Sequence, residues 1–158
     1  TAANNMTSYK RPVSVLVVIH TPDRHILLLE RVLQTGFWQS VTGSQEDNES
    51  LVETAAREVF EETGITVPIT RLTDWQLTNY YEIFPEWRQR YAPGVTHNTE
   101  HVYSLMVPSQ QAITLAPDEH LNYEWFSLIK AAEKCFSPTN RDAILSLPAK
   151  IFVPPIRE

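Results

Sequence analysis

The chain has 158 residues and a formal net charge of −6, with 42% hydrophobic and 20% charged residues. That length supports one domain with a proper core, and the negative charge argues against a nucleic-acid polymer as partner. No apolar run reaches the roughly 18 residues of a membrane-spanning helix, no secretory signal is visible, and the single cysteine, Cys135, excludes an intrachain disulfide, all of which fits a reducing cytoplasm.

Residues 1–8 read as a flexible lead-in and 9–158 as one domain. The β-branched run 13–19 predicts a buried strand. Thr21-Pro22-Asp23 turns the chain into a second strand at 26–30, and 37–42 reads as a third. Ser50-Leu51-Val52-Glu53 has the form of a capping box, and Gly64 can supply a left-handed residue past a helix end, so a helix is expected over 51–62. Val52, Ala56, Val59 and Phe60 form its expected apolar arc. Further strands are expected at 72–77, 80–84, 102–107 and 123–127. The connection 85–100, with Trp87, Arg88, Arg90, Tyr91 and Pro93-Gly94, has a length that is often functional. Helices follow at 128–134 and 140–147, the second entered through Ser137-Pro138-Thr139, and the tail 151–156 reads as extended and packed by its apolar residues. Strands interleaved with helices, without a repeat or an interdomain linker, indicate a single α/β or α+β domain. A strand–loop–helix carrying the acids suggests an α/β/α sandwich on a mixed sheet.

The helix at 51–62 is physically odd. Glu58, Glu61 and Glu62 fall within roughly 100° of one another on its surface. Like charges at these spacings cost roughly 0.2–0.5 kcal/mol per pair, and carboxylates in a last turn face the negative end of the helix dipole. Arg57 offsets part of this, and a hard divalent cation reverses the sign, because it needs several carboxylate oxygens close together. For Glu-x-x-Glu-Glu alone, a solvated acidic face is the better reading. Lys10, Arg11, Arg31 and Arg57, each ordinary as a surface cation, would together make a cleft positive inside an acidic protein.

The surrounding pattern sets the solvated reading aside. Residues 43–65 match G-x5-E-x7-R-E-U-x-E-E-x-G-U, with U a bulky aliphatic, at Gly43, Glu49, Arg57, Glu58, Val59, Glu61, Glu62, Gly64 and Ile65. This segment resembles the Nudix box, the signature of metal-dependent hydrolases that cut diphosphates linked to another moiety. The resemblance implies the Nudix fold and a divalent cation, Mg²⁺ or Mn²⁺. It makes Glu58 and Glu62 the principal metal ligands and Glu61 a ligand or water-activating base. Arg57 would orient a glutamate through a pair with Glu49. Two departures stand out. The usual proline and first glycine of the lead-in are absent from Trp38-Gln39-Ser40-Val41-Thr42-Gly43, and Asp47-Asn48 replaces the usual Pro-Gly. Asn tolerates left-handed backbone, so the second turn is expected to survive. Thr42 is expected near the substrate.

The likeness narrows outside the box. Tyr9–Val13, Phe37–Ser44, Arg90–Thr96, Asn98-Thr99-Glu100 and Glu119-His120-Leu121 are similar to the Nudix branch that cuts dihydroneopterin triphosphate, and also dATP, between the α and β phosphates. That branch leaves a monophosphate and pyrophosphate. Its pattern implies a further metal ligand at Glu119 and substrate contacts at Lys10, Arg31, Thr42, Tyr81, Glu82, Ile83, Phe84 and Ser137. Lys10 and Arg31 suit phosphate oxygens, the hydroxyls suit phosphate or ring atoms, and Tyr81 and Phe84 offer aromatic surface. Core packing is the alternative for two of Tyr81, Ile83 and Phe84, and Trp38 fits either core or a stacking wall. His97, His101 and His120 match no compact zinc spacing and read as separate core or surface residues. The expected partner is a small-molecule triphosphate, with neither membrane nor nucleic-acid polymer, and the oligomeric state stays open. The rival readings are cleavage of a dinucleoside polyphosphate or capped RNA, and a silent ligand-binding module. The acidic charge argues against RNA, and intact Glu58, Glu61 and Glu62 argue against silence.

Overall fold

The computed structural model describes residues 9–150, so the expected flexible lead-in and packed tail lie outside the described residues. Seven strands form one sheet: β1 (Val13–His20), β2 (His25–Arg31), β3 (Trp38–Gln39), β4 (Val41–Ser44), β5 (Leu72–Glu82), β6 (His97–Met106) and β7 (His120–Ser127). The helices are α1 (Leu51–Thr63), α2 (Leu128–Lys134) and α3 (Pro138–Lys150). β1 runs parallel to β6, and every other pairing between these strands is antiparallel. This is the expected mixed sheet.

Alternation along β1 sorts the two layers. Leu16 and Val18 face a core built with Val102, Phe126 and residues of α2 and α3, including Ala131, Ile144 and Leu147. Val15, Val17 and Ile19 face the opposite core, closed by Ala55 and Val59 of α1. Helices therefore cover both faces, as the sandwich reading requires. No helix among the described residues is long and apolar enough to cross a membrane.

The sheet opens between β1 and β2. These strands share one pair, His20 with Ile26, and then diverge. The chain fills the opening in two pieces rather than as one strand over 37–42. β3 pairs with β2, and β4 pairs with β1. Ser40, buried at the break, donates its N–H to Asn140 Oδ1 at 2.8 Å and accepts from Asn140 Nδ2 through its hydroxyl at 2.9 Å. An α3 side chain thus satisfies the backbone that leaves the ladder.

Other boundaries also move. The strands expected at 72–77 and 80–84 are one strand, β5, with a bulge between Asp74 and Thr78. Gln76 takes a φ of 53° there and donates its N–H to Asp74 Oδ1 at 2.8 Å. β6 starts at His97 rather than 102, and β7 at His120 rather than 123. The long connection opens with a six-residue 3₁₀ turn, Pro85–Arg90. Helix α3 starts two residues before expectation, with the Ser137 hydroxyl accepting from Asn140 N at 3.4 Å. The expected apolar arc of α1 needs correction at Phe60, which is 55% exposed, while Ala55 and Val59 are buried. The sheet contacts an arc through Ala55, Val59 and Glu62, and Phe60 stands past its edge.

Candidate active site

Helix α1 is capped at both ends as its sequence predicts. The Ser50 hydroxyl accepts from Glu53 N at 3.3 Å, and Glu53 accepts from Ser50 N at 2.8 Å. Gly64 closes the helix at φ 78°. Asn48 sits at φ 65°, so the turn that usually carries glycine survives with asparagine. The loop before the helix is tied to it by Arg57. This guanidinium donates to Glu49 at 2.6 and 3.0 Å, to Glu58 at 2.7 Å, to Glu61 at 3.2 Å and to the Ser44 carbonyl at 3.0 Å. The expected Arg57–Glu49 pair is present, bidentate and shielded.

Arg57 first, then the Glu46 N–H and the Thr54 hydroxyl, hold the Glu49 carboxyl at about 2 instead of 4.5. A depressed acid contributes stability that is complete above its unfolded value and is lost as pH falls toward its folded one. The contribution is therefore full above pH 4.5 and disappears on the way to pH 2. Glu49→Gln should lose about 2–3 kcal/mol at pH 7 and show a flatter stability profile below pH 4.5. Urea unfolding across that range tests this, and parallel profiles for the two proteins would refute it.

The acids enter a polar cleft of about 600 Å³. Glu58, Glu62, Glu119 and His120 line it, together with Lys10, Arg31, Arg90, Thr42 and Gly43. Gly43 is needed for space: a Cβ there would overlap the Glu58 carboxylate. Glu62 is 1% exposed, and its Oε1 has no hydrogen-bond partner. Burial chiefly, then the neighbouring Glu58 and Glu119, push its carboxyl well above the ordinary range. Burial likewise raises Glu58. The same desolvation, with Arg31 nearby, lowers His120 to about 4.

Glu62, Glu119 and His120 each offer one donor atom, and these atoms lie within 4.8 Å of one another. His120 Nε2 stands 3.8 Å from Glu62 Oε1. A buried carboxylate oxygen without a partner, beside further oxygen and imidazole donors, fits a divalent cation. Sequence reasoning missed His120 in this group, because only the pairing of β7 with β2 brings it beside α1. Glu61 lies apart. It is half-exposed, held by Arg57, and does not line the cleft.

A second, more apolar compartment of about 400 Å³ adjoins the first. Lys10, Arg31, Gln39, Thr42, Gly43, Ser44 and Arg90 line both. Tyr81, Glu82, Ile83, Phe84 and Ser137 all line the second, so every expected substrate residue borders one compartment or both. Ile83 is 4% exposed and packs as core, whereas Phe84 is 50% exposed and meets Trp87 edge-on at 5.1 Å. Tyr81 accepts from Asn98 Nδ2 at 2.9 Å. Glu82 pairs with Arg88 outside the strand. Arg31 stacks over Trp87 at 5.2 Å and donates to Gln34 at 2.6 Å. Trp38 resolves as core, packed edge-on against Phe126. Trp87, Arg90, Asn98, Glu100, Phe136 and Asn140 also line the compartment without having been singled out as site residues. The length of the 85–100 connection was the signal for Trp87 and Arg90.

An α/β/α sandwich with carboxylates gathered on a loop–helix–loop defines the class, and the NUDIX domain model matches residues 10–147. The chain belongs to the Nudix family and is a Nudix hydrolase. It is 48% identical over 139 residues to the dihydroneopterin triphosphate diphosphatase of Escherichia coli, covering 86% of this chain and 91% of that one. It is 41% identical over 142 residues to the Haemophilus influenzae protein of the same name, covering 88% and 89%. The solved structure of the E. coli dihydroneopterin triphosphate pyrophosphohydrolase superposes with a TM-score of 0.83 at 44% identity, covering 90% of this chain and 99% of that one.

Proposed function

We propose that this hydrolase cuts a ring-bearing triphosphate between its α and β phosphates, releasing pyrophosphate and a monophosphate. Dihydroneopterin triphosphate is the first substrate and dATP the second. The observation that carries this reading is the pair of adjoining compartments, one acidic and one apolar, with Lys10, Arg31 and Arg90 on their shared border. The full-length similarity to the diphosphatases supports the pterin assignment.

Glu58, Glu62 and Glu119, with His120 beside them, would hold Mg²⁺ or Mn²⁺. Such a cation neutralises charge on phosphate oxygens and makes water more acidic. The protein's own contribution is positioning. Lys10, Arg31 and Arg90 bind the phosphate oxygens. Burial and the nearby Arg90 lower the Lys10 pKa, so an arriving polyanion stabilises its charged form. Arg57 holds Glu58 in place within the cleft and Glu61 outside it. Thr42 and Ser137 supply hydroxyls beside the phosphates and ring, and Tyr81, Ile83 and Phe84 wall the ring. Glu82, engaged by Arg88, closes the rim.

Attack at the α phosphorus makes a defined prediction. Hydrolysis of dihydroneopterin triphosphate in ¹⁸O water should place the label in the monophosphate. Label found only in pyrophosphate would mean attack at the β phosphorus. Absence of pyrophosphate release from both the pterin triphosphate and dATP would overturn the reading.

A further inference from the structure

The apolar compartment contains a buried acid that phosphate chemistry does not use. Glu100 is 4% exposed on β6 and lines the compartment with Trp87 and Phe136. It accepts from Asn79 Nδ2 at 3.2 Å, and Thr139 also bonds it. Among the described residues no cation pairs with it. A carboxylate has about four lone-pair sites, so about half of its acceptor capacity is unspent. Burial holds its carboxyl above the ordinary range, against the lowering effect of Thr139 and Asn79.

A second observation is independent. Asn98 sits two residues earlier, on the same face of β6, and is buried. Its amide nitrogen donates to Ser14 Oγ at 2.8 Å and to the Tyr81 hydroxyl at 2.9 Å. Its Oδ1 is buried without a partner. Two acceptors therefore stand in one apolar pocket, at the end of the cleft away from the metal-suited acids. Buried acceptors are normally matched by donors.

We propose that Glu100, with Asn98 beside it, reads the edge of the substrate ring and selects a 2-amino-4-oxo-pyrimidine, the donor-rich edge of a pterin. This rests on the reading of the apolar compartment as the ring seat. The ring N–H and the neighbouring exocyclic amine are adjacent donors, and a carboxylate takes both in a two-point contact. Adenine presents a donor next to an acceptor on its pairing edge, and that acceptor would face the carboxylate. Glu100 thus sets specificity rather than turnover, and it does so far from the scissile phosphate.

The test uses neopterin, the oxidised and phosphate-free relative that keeps the same 2-amino-4-oxo edge, titrated by its fluorescence into metal-free protein. Lumazine serves as the ring whose 2-amino group is replaced by oxygen, with pterin as its matched partner. The wild type should bind neopterin, and should bind pterin at least about tenfold more tightly than lumazine. Glu100→Gln should weaken neopterin binding about tenfold or more and bring pterin and lumazine within about threefold of each other. No neopterin binding, or a pterin preference that survives Glu100→Gln, would overturn the proposal. If that variant does not fold, equal affinity of the wild type for pterin and lumazine still overturns it. Ring selectivity without triphosphate hydrolysis would sink the assigned activity and leave this proposal standing. Hydrolysis of the pterin triphosphate without ring selectivity would do the reverse.

Discussion

Glu62→Gln should produce a folded protein whose turnover falls about a thousandfold, equivalent to roughly 4 kcal/mol of lost transition-state stabilisation. The fold should survive because the charge being removed is itself unfavourable. Glu62 is buried against Glu58 and Glu119, and its Oε1 has no donor. Glutamine is isosteric and neutral, so the metal-free melting temperature should hold or rise. The loss appears only when three acids must share a cation. Circular dichroism and calorimetry of the metal-free variant, followed by steady-state kinetics in Mg²⁺, test both halves. Near-normal turnover in a correctly folded variant would remove Glu62 from the proposed metal site.

Gly43→Ala should lower kcat about a hundredfold while leaving β4 paired. The glycine is not needed for backbone conformation, since its φ lies outside the left-handed region. It is needed because the Glu58 carboxylate occupies the space a Cβ would fill. An alanine would drive Glu58 away from Arg57, 2.7 Å from it in the native arrangement. The metal concentration for half-maximal activity should rise together with the fall in kcat. A variant with wild-type kcat and wild-type metal dependence would show that Glu58 need not stay where it is.

The legible parts of this molecule were those decided locally. Ser50, Glu53 and Gly64 fix both ends of α1 through contacts within a few residues, and the sequence marks them plainly. β1 and β2 follow from β-branched and apolar runs buried on both faces. The Arg57–Glu49 pair joins the loop to the helix across eight residues and was expected from the Nudix resemblance. What could not be read depends on distant partners. The break at Ser40 is stabilised by Asn140, a hundred residues away. His120 joins the acids only after β7 docks on β2, and nothing in its local sequence indicates that neighbour. Asn98 and Glu100 read as the end of a connection, and only in the fold do they join β6 and come to line the apolar compartment. Phe60 failed for another reason: helical periodicity gives an arc, but only the position of the sheet decides where that arc ends.

The strip Thr42–Gly43–Ser44 forms a common wall of both compartments and is bolted to β1 by three consecutive pairs. On the proposed reading this makes the enzyme a ruler. The ring is seated at one end, the carboxylates stand at the other, and the backbone between them is stiff. Whichever phosphorus lies at the right reach from the ring is the one that is cut. A monophosphate product has no phosphate beyond that mark, so it loses its hold on the acidic end when the bond breaks. Selectivity for bond position, and release of product, would then follow from one fixed length.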